Sequence, residues 1–287
     1  MKSVIKHAFT VDVEDYYQVS AMEHRVQRSD WEQLGGRVVK STERILSMLD
    51  RHEVRGTFYI LGWVANRFPS LVRRIAEAGH EIASHGYWHR LIYQQTPEEF
   101  AKDLQDSIDA IASACCIRPT AYRAPSFSIT DRSWWALQIL VEHGFTDDSS
   151  VFPMRGHNRY GVARASKEIH VIETESGPIR EFPPAPGQFG KATLPIGGGY
   201  FRLFTLNLTS AAIRSIARKG HPAMFYIHPW EIDPDQPRMS GLNRTTRFRH
   251  YVGLKKTEHK LEKLLEHFSF TTMSDAIASS ETATATV

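Results

Sequence analysis

The regular alternation of short apolar segments with amphipathic segments constrains the fold of this chain more than any other sequence feature. Residues 8–13 and 57–61 are apolar segments of strand length, and residues 41–52 between them carry apolar side chains at helical spacing. A second helix is predicted to begin at Pro69, and a third strand is predicted over residues 80–84. Repeated strand–helix units favour a parallel sheet with helices packed outside it.

The same pattern continues through the middle of the chain. Thr96 and Glu99 form a capping box that predicts the start of a helix, and residues 130–143 predict another. Further strands are predicted over residues 121–123, 145–148 and 223–227. Polar side chains follow several of these strands, and in a barrel of βα units active sites assemble at that face. We therefore expect an α/β fold, a distorted (β/α) barrel, with an open doubly wound sheet as the alternative.

The expected organisation is a single domain over residues 1–275, on which a basic C-terminal helical extension at 238–270 packs. Residues 173–199 are rich in Pro and Gly and predict a long, mostly irregular connection. The segment 276–287 is low in complexity, which predicts a disordered tail. The net charge of +3 is too small to indicate a nucleic-acid partner. No segment approaches the ~20 apolar residues that span a bilayer.

Cysteine usage and the N-terminus bear on the compartment. The two cysteines, Cys115 and Cys116, are adjacent, so the sequence contains no disulfide framework and fits a reducing compartment. No apolar signal region is visible near the N-terminus. The sequence therefore predicts a cytoplasmic location.

A pair of histidines and a cluster of carboxylates are the first candidates for chemistry. His85 and His89 are four residues apart, a spacing that places both imidazoles on one face of a helical turn, within reach of one metal ion. Asp12, Glu14 and Asp15 lie at the end of the first predicted strand and offer a further ligand. Three protein ligands leave open positions, which suits a metal that activates water.

The carboxylates differ in where the strand places them. Alternation puts Asp12 and Glu14 on one face, whereas Asp15 lies at the strand end, where alternation weakens. Carboxylates this close repel one another unless a cation is bound or a proton is shared. One of them would bind a metal while another serves as general base. A solvated acidic turn is the alternative interpretation.

Two further residues follow predicted strands. Arg123 lies where it could orient a catalytic carboxylate, although a surface salt bridge is the alternative. His228 follows an apolar strand and suits a general acid, although a hydrogen-bonded structural histidine is the alternative. The order of the whole set, from acidic strand end to HxxxH, RxP and strand-end histidine, is more specific than any member.

This ordered set resembles the NodB-type polysaccharide deacetylases, carbohydrate esterase family four, and within them the branch found beside exosortase and exopolysaccharide gene clusters. The resemblance extends from about residue 8 to about residue 270. It is carried by FTVDVEDYYQ (9–18), SHGYWH (84–89), YRAPSFSI (122–129), TDDSSVFP (146–153), GGGYFR (197–202) and FYIHPWEID (225–233).

The resemblance implies a metal-dependent polysaccharide deacetylase. Such an enzyme hydrolyses N-acetyl groups of N-acetylhexosamine units, here of an exopolysaccharide or its precursor, and needs a divalent metal: Zn²⁺ first, with Co²⁺ or Mn²⁺ as alternatives. The implied partner is an N-acetylated glycan, with no nucleic acid. Association with a membrane-bound polysaccharide synthesis complex is a further expectation.

The resemblance also implies the metal ligands. His85 and His89 would bind the metal. The family motif has two adjacent aspartates, whereas here a valine follows Asp12. The third ligand is then Glu14, which strand alternation favours, or Asp15, which is the usual residue type; the sequence leaves both open.

Catalytic roles follow from the same resemblance. Asp12 would be the general base, Arg123 would orient it, and His228 would protonate the leaving amine, with Asp148 tuning that histidine. An aromatic residue often follows the proline of the RxP motif, but here Ser126 stands there.

Two other functions fit parts of the sequence. One is hydrolysis of a small amide by an allantoinase-like amidohydrolase, and the other is a glycan-binding barrel without turnover. Binding alone needs no acid–base pair, so the presence of Asp12, Arg123 and His228 together argues against the second.

Residues 238–263 contain eight Lys or Arg and only two Glu. These cations could contact an anionic glycan or a lipid-linked pyrophosphate, whereas a solvated helix face is the simpler interpretation. The candidates are Arg244, Arg247, Arg249, Lys255 and Lys256.

Overall fold

A computed structural model describes residues 5–154, 161–190 and 192–284. The strands are β1 (His7–Val13), β2 (Thr57–Ile60), β3 (Glu81–Ser84), β4 (Ala121–Tyr122), β5 (Asp147–Asp148), β6 (His170–Thr174), β7 (Gly177–Glu181), β8 (Gly187–Phe189), β9 (Ala192–Leu194), β10 (Met224–Ile227) and β11 (Phe270–Thr271). The α-helices are α1 (Val38–Arg51), α2 (Gly62–Arg67), α3 (Pro69–Glu77), α4 (Pro97–Cys115), α5 (Ala136–Glu142), α6 (Gly198–Leu203), α7 (Leu206–Ala217), α8 (Arg244–Tyr251), α9 (Leu254–His267) and α10 (Met273–Thr284). Short 3₁₀ helices cover Arg28–Gln33, Ile92–Gln94, Pro125–Phe127 and Pro229–Ile232.

Within the described residues, nine of these strands form one sheet, in the order β10-β1-β2-β3-β4-β5-β7-β6, with β11 also beside β1. Every neighbouring pair is parallel except the β6–β7 hairpin, and β8 and β9 form a separate antiparallel pair. This is a mixed α/β, half-barrel arrangement of parallel strands and helices, so the predicted fold class is confirmed.

The register of the sheet brings the carboxyl ends of its strands to one edge. Asp12 is opposite Tyr59 of β2, and Val11 is opposite Ile227 at the end of β10. Ser84, the last residue of β3, is opposite Tyr122, the last residue of β4. Side chains that directly follow these strands therefore converge, as sequence reasoning expected.

Apolar periodicity explains why the helices cover the sheet. All residues of β1 are buried, as in a strand covered on both faces. α1 buries Ile45, Met48 and Leu49 against it, and α9 buries Leu261 and Leu264 in the same core. α9, from the basic segment 238–270, is thus packed on the sheet. None of the described helices is long and apolar enough to cross a membrane.

The predicted disordered tail over 276–287 is wrong as far as the described residues reach, because α10 continues to Thr284. Met273, Ala276 and Ile277 are buried against small and aromatic residues of β1 to β4. This apolar face is not evident from the sequence, because the last residues are low in complexity. Residues 285–287 lie outside the described part of the chain.

Two other predictions need correction. Residues 173–199 are not mostly irregular: β7 joins the main sheet beside β5, with Ile179 buried. The strands β8 and β9 also lie within this segment. The helix predicted over 130–143 is shorter, because turns precede the α5 segment Ala136–Glu142.

Candidate active site

A cleft of about 630 Å³ opens at the edge where the parallel strands end. Four of the predicted site residues line it: Asp12, Glu14, His89 and His228. His85 and Arg123 are fully buried directly behind them. Asp15 and Asp148 are not among the lining residues.

The candidate metal ligands are Glu14, His85 and His89. One ligand atom of each lies within 4.8 Å of the others, and all three side chains are buried. Glu14 Oε2 is 2.8 Å from His89 Nε2, yet this oxygen has no partner in hydrogen-bonding geometry. A buried carboxylate oxygen without a hydrogen bond is costly unless a cation satisfies it. The residues present therefore fit a divalent metal.

The orientation and charge of His85 support the same conclusion. Its Nδ1 is 2.8 Å from the backbone carbonyl oxygen of Arg123, which leaves Nε2 for a ligand. Burial lowers the pKa of His85 to about 4, so the imidazole is neutral near pH 7. Neutral imidazole is the form that binds metals, and two histidines with one carboxylate are typical of zinc sites with open positions.

The structure brings Glu14, and not Asp15, to the histidines. Asp15 Oδ2 accepts hydrogen bonds from the backbone N–H groups of Arg37 (2.6 Å) and Val38 (3.0 Å), and its Oδ1 accepts one from Tyr16 (2.9 Å). Its carboxylate thus satisfies free N–H groups at the N-terminus of α1, where negative charge is favourable. The alternation of side chains along β1 therefore continues to Glu14, which lies on the same face as Asp12.

The expectation that His85 and His89 share a face of a helical turn is wrong. They lie in the loop after β3, where Gly86 has φ +74° and His89 has φ +52°. Asp103 of α4 accepts hydrogen bonds from the backbone N–H groups of Tyr87 (2.7 Å) and Trp88 (3.1 Å). The loop therefore closes around Asp103, and a Cβ at position 86 would lie 2.9 Å from Asp103 Oδ2.

Sequence reasoning missed Asp103. The sequence did contain one indication: Asp103 lies between Phe100 and Leu104, which belong to the apolar face of a predicted helix. A buried aspartate needs hydrogen-bond donors, and here the loop that carries the two histidines supplies them.

Arg123 holds Asp12 from below the cleft. Its Nη1 is 2.6 Å from Asp12 Oδ1 and 2.8 Å from Thr10 Oγ1, and the guanidinium lies 4.0 Å from the centre of the Tyr59 ring. The alternative of a surface salt bridge does not hold, since Arg123 is fully buried. Asp12 Oδ2 is the oxygen that faces His228, at 3.7 Å from its Nε2.

His228 faces the carboxylates with one nitrogen and is held by the other. Its Nε2 is also 3.6 Å from Glu14 Oε1, and its Nδ1 is 2.9 Å from Glu231 Oε2. Arg202 Nε donates to Glu231 Oε1 at 2.6 Å. Burial alone would lower the pKa of His228, but the charges of Glu14 and Glu231 outweigh it and raise the pKa to about 9.

Asp148, expected to tune His228, lies elsewhere. Its Oδ1 accepts a hydrogen bond from Ser150 Oγ at 2.5 Å, and burial raises the pKa of its carboxyl group. Glu181 is its acidic neighbour, and burial together with the charge of Asp148 raises the pKa of Glu181 well above its usual range. Among the described residues, Glu231 is the carboxylate that contacts Nδ1 of His228. The sequence feature that could have indicated this contact is that Glu231 follows His228 by three residues, in the segment HPWE.

The residue after the proline of the RxP motif is not aromatic, as it often is in the family, but the wall of the cleft still contains an aromatic side chain. Ser126 and Phe127 both have φ +53°, and both line the cleft. The Phe127 ring contacts the Tyr226 ring at 5.1 Å between centroids. The aromatic wall is therefore supplied one residue later in the sequence.

A parallel half-barrel that presents a His/His/Glu cluster beside an arginine-held aspartate defines a NodB-type α/β domain. Residues 35–146 match the family model described as "Polysaccharide deacetylase". Residues 149–278 match a second model, described as "Domain of unknown function (DUF3473)". Residues 35–146 thus match the polysaccharide deacetylase domain of the NodB type, carbohydrate esterase family four, which the motif order indicated.

Curated relatives match the deacetylase part of the chain. A peptidoglycan-N-acetylglucosamine deacetylase of Bacillus cereus is 31% identical over 98 residues, 34% of this chain and 36% of that protein. A chitooligosaccharide deacetylase of Rhizobium leguminosarum bv. trifolii is 36% identical over 74 residues, 26% of this chain and 34% of that protein. The match therefore spans about a third of the length of these relatives.

Solved structures support the fold over nearly the whole chain. A Mycobacterium smegmatis protein assigned as a polysaccharide deacetylase aligns with a TM-score of 0.64 and 21% identity, covering 96% of this chain and 90% of that one. The peptidoglycan deacetylase PdaC of Bacillus subtilis aligns with a TM-score of 0.51 and 15% identity, covering 99% and 95%.

Proposed function

We propose that this protein hydrolyses the N-acetyl group of N-acetylhexosamine units in a glycan, releasing acetate and leaving a free amine on the sugar. The observation that carries the proposal is that Asp12 and His228 lie side by side in the cleft, 3.7 Å apart, next to the Glu14/His85/His89 cluster. An acid and a base on either side of one reacting carbonyl are what amide hydrolysis requires. The names of the relatives, which refer to peptidoglycan and chitooligosaccharide, support the substrate class.

A divalent metal, Zn²⁺ by its donor set, would be held by Glu14, His85 and His89. When bound there, it would polarise the acetyl carbonyl and lower the pKa of a water molecule. Asp103 contributes indirectly, because it fixes the backbone of the loop between the two histidines.

Asp12 is the general base in this proposal. Arg123 occupies its Oδ1, so Oδ2 remains to accept the proton of the water that attacks the carbonyl carbon. Arg123 is therefore a positioning residue that acts through Asp12.

His228 is the general acid. Glu231 fixes its Nδ1, so Nε2 presents a proton to the cleft at 3.7 Å from Asp12 Oδ2. When the carbon–nitrogen bond of the amide breaks, the leaving nitrogen takes that proton and departs as a neutral amine. The neighbouring carboxylates favour the protonated imidazole that this step requires.

We further propose that the glycan is an exopolysaccharide or its precursor. The motif resemblance to the exosortase-associated branch supports this. The open shape of the cleft supports a sugar chain over the small amide of an allantoinase-like enzyme, because a small substrate favours an enclosed pocket. A cytoplasmic location and association with a membrane-bound synthesis complex stay predictions from the sequence.

The test is acetate release from N-acetylglucosamine oligomers by metal-stripped protein, before and after addition of Zn²⁺, Co²⁺ or Mn²⁺. Asp12→Asn should retain bound metal and lose about 10²–10⁴-fold in rate, the usual contribution of a general base. Asp131→Asn is a matched control, because Asp131 forms an exposed ion pair with Arg164. Metal-bound protein that releases no acetate would refute the deacetylase proposal, and protein that binds no metal would favour a glycan-binding role.

A further inference from the structure

One wall of the cleft comes from the segment that matches the family of unknown function. Tyr200 and Leu203 of α6, and Phe248 and Arg249 of α8, line the same cleft as Asp12 and His228. The cleft is therefore longer than the catalytic residues require, and its far wall is contributed by two helices that follow residue 197.

The far wall exposes apolar side chains beside water. The Phe248 side chain is 58% exposed and that of Leu203 is 49% exposed. α8 is otherwise polar, and among its residues only His250 is buried, so core packing does not account for Phe248. Exposed aromatic and aliphatic side chains within a concave surface are typical of ligand sites. Pyranose rings have apolar C–H faces that pack against such side chains.

A cation stands next to this apolar surface. The guanidinium of Arg249 forms no ion pair with any residue in the described ranges, and its side chain is exposed. Two acidic side chains of the cleft already pair with an arginine, Asp12 with Arg123 and Glu231 with Arg202, and the third, Glu14, belongs to the candidate metal cluster. The charge of Arg249 is thus available to an anionic ligand.

The backbone beneath Arg249 is fixed with respect to the catalytic acid. Arg202 Nη2 donates to the carbonyl oxygen of Arg249 at 2.9 Å, and its Nη1 donates to those of His250 (2.8 Å) and Val252 (3.0 Å). The same guanidinium holds Glu231, the partner of His228. One buried arginine therefore sets the spacing between the end of α8 and the acid, which pre-organises a ligand-binding surface.

We propose that Phe248 and Arg249 form a subsite for a sugar unit neighbouring the one that is deacetylated, and that Arg249 selects an anionic group on that part of the substrate. Phe248 packs on the apolar face of the sugar, and Arg249 pairs with a carboxylate or a phosphate, both of which its planar guanidinium can bind through two hydrogen bonds. The proposal rests on the proposed function, because it defines which glycan reaches Asp12 and His228.

The test is calorimetric binding to the full chain in an Asp12→Asn background, which suppresses turnover. The probes are chitotetraose as the neutral glycan, a hyaluronan tetrasaccharide as the uronate-bearing glycan, and UDP-N-acetylglucosamine as the phosphate-bearing sugar. At low salt we expect one anionic probe to bind about fivefold more tightly than chitotetraose, the effect of one partly exposed ion pair. Tighter binding of the hyaluronan tetrasaccharide would identify the anionic group as a carboxylate, and tighter binding of UDP-N-acetylglucosamine would identify it as a phosphate.

Variants localise the effect. Arg249→Gln should abolish the preference, and Phe248→Ala should weaken binding of both glycans by a similar factor. Arg247→Gln is the matched control, because it removes the same charge from α8 at an exposed position that does not line the cleft. Equal binding of all three probes, or equal loss of preference in Arg247→Gln and Arg249→Gln, would overturn the proposal.

Acetate release by the wild-type protein separates this proposal from the proposed function. Release from chitotetraose without any preference for an anionic probe would leave the deacetylase standing and refute the subsite. An Arg249-dependent preference without acetate release from any glycan would support the subsite and refute the deacetylase. Thermal unfolding of both variants at the wild-type temperature would confirm that their folds are intact.

Discussion

Glu14→Gln and Asp15→Asn form a pair of isosteric substitutions with opposite expected effects on metal binding and stability. Glu14 belongs to the cluster with His85 and His89, so Glu14→Gln should lower metal affinity by more than the roughly 10–100-fold that changes behind the ligands cause. Asp15 instead accepts three backbone hydrogen bonds, two of them at the N-terminus of α1. Asp15→Asn should leave metal affinity within a few-fold of wild type.

The stability cost of Asp15→Asn follows from those contacts. Hydrogen bonds to a charged group contribute about 1.5–3 kcal/mol each, and an amide can keep only the contacts of one oxygen. Asp15→Asn should therefore lower the free energy of unfolding by about 2–3 kcal/mol, which corresponds to roughly 3–5 °C in Tm for a chain of this size. Competitive titration with a zinc-binding dye and thermal unfolding measure both effects. A loss of metal affinity in Asp15→Asn as large as in Glu14→Gln would refute the assignment.

Three further predictions concern residues that support the site. Glu231→Gln removes a carboxylate that raises the pKa of His228, so the alkaline limb of the kcat profile should move to lower pH, and an unchanged profile would contradict the general-acid assignment. Asp103→Asn should weaken zinc binding by about 10–100-fold in the same dye titration, because it disturbs the loop that carries His85 and His89. Burial raises the pKa of Glu181, so its contribution to stability is present at low pH and lost as the pH rises through the raised pKa. Glu181→Gln should therefore lose less stability in urea unfolding between mildly acidic and mildly alkaline pH than wild type; an equal loss would contradict this reasoning.

The sequence predicted those parts of the fold that depend on local pattern. The buried strand around Val11, the capping box at Thr96 and the apolar face of α4 all encode their structure within a few residues. Because parallel strands align their carboxyl ends, residues after β1, β3, β4 and β10 were expected to converge, and they do.

What the sequence did not predict depends on contacts between distant segments. The loop of His85 and His89 takes its shape from Asp103 of α4, and α10 is ordered by burial against the sheet. Asp15 resembles Glu14 chemically, and only the position of α1 shows that it caps a helix. The contact of Glu231 with His228 was easier to predict, because the two residues are close in the sequence. The role of Glu231 also depends on Arg202, which lies on another helix and compensates its charge.

The place of β1 in the sheet has a consequence for synthesis on the ribosome. β1 pairs with β2 on one side, but Ala8 to Val11 pair with residues 224–227 of β10, which are translated more than two hundred residues later. The segments needed for the metal cluster therefore emerge early, while that edge of β1 lacks its final partner until the last quarter of the chain appears. An unpaired buried-type strand edge is prone to association with other chains. A nascent chain that stalls after residue 146, where the deacetylase family match ends, should accordingly be prone to aggregation and depend on chaperones.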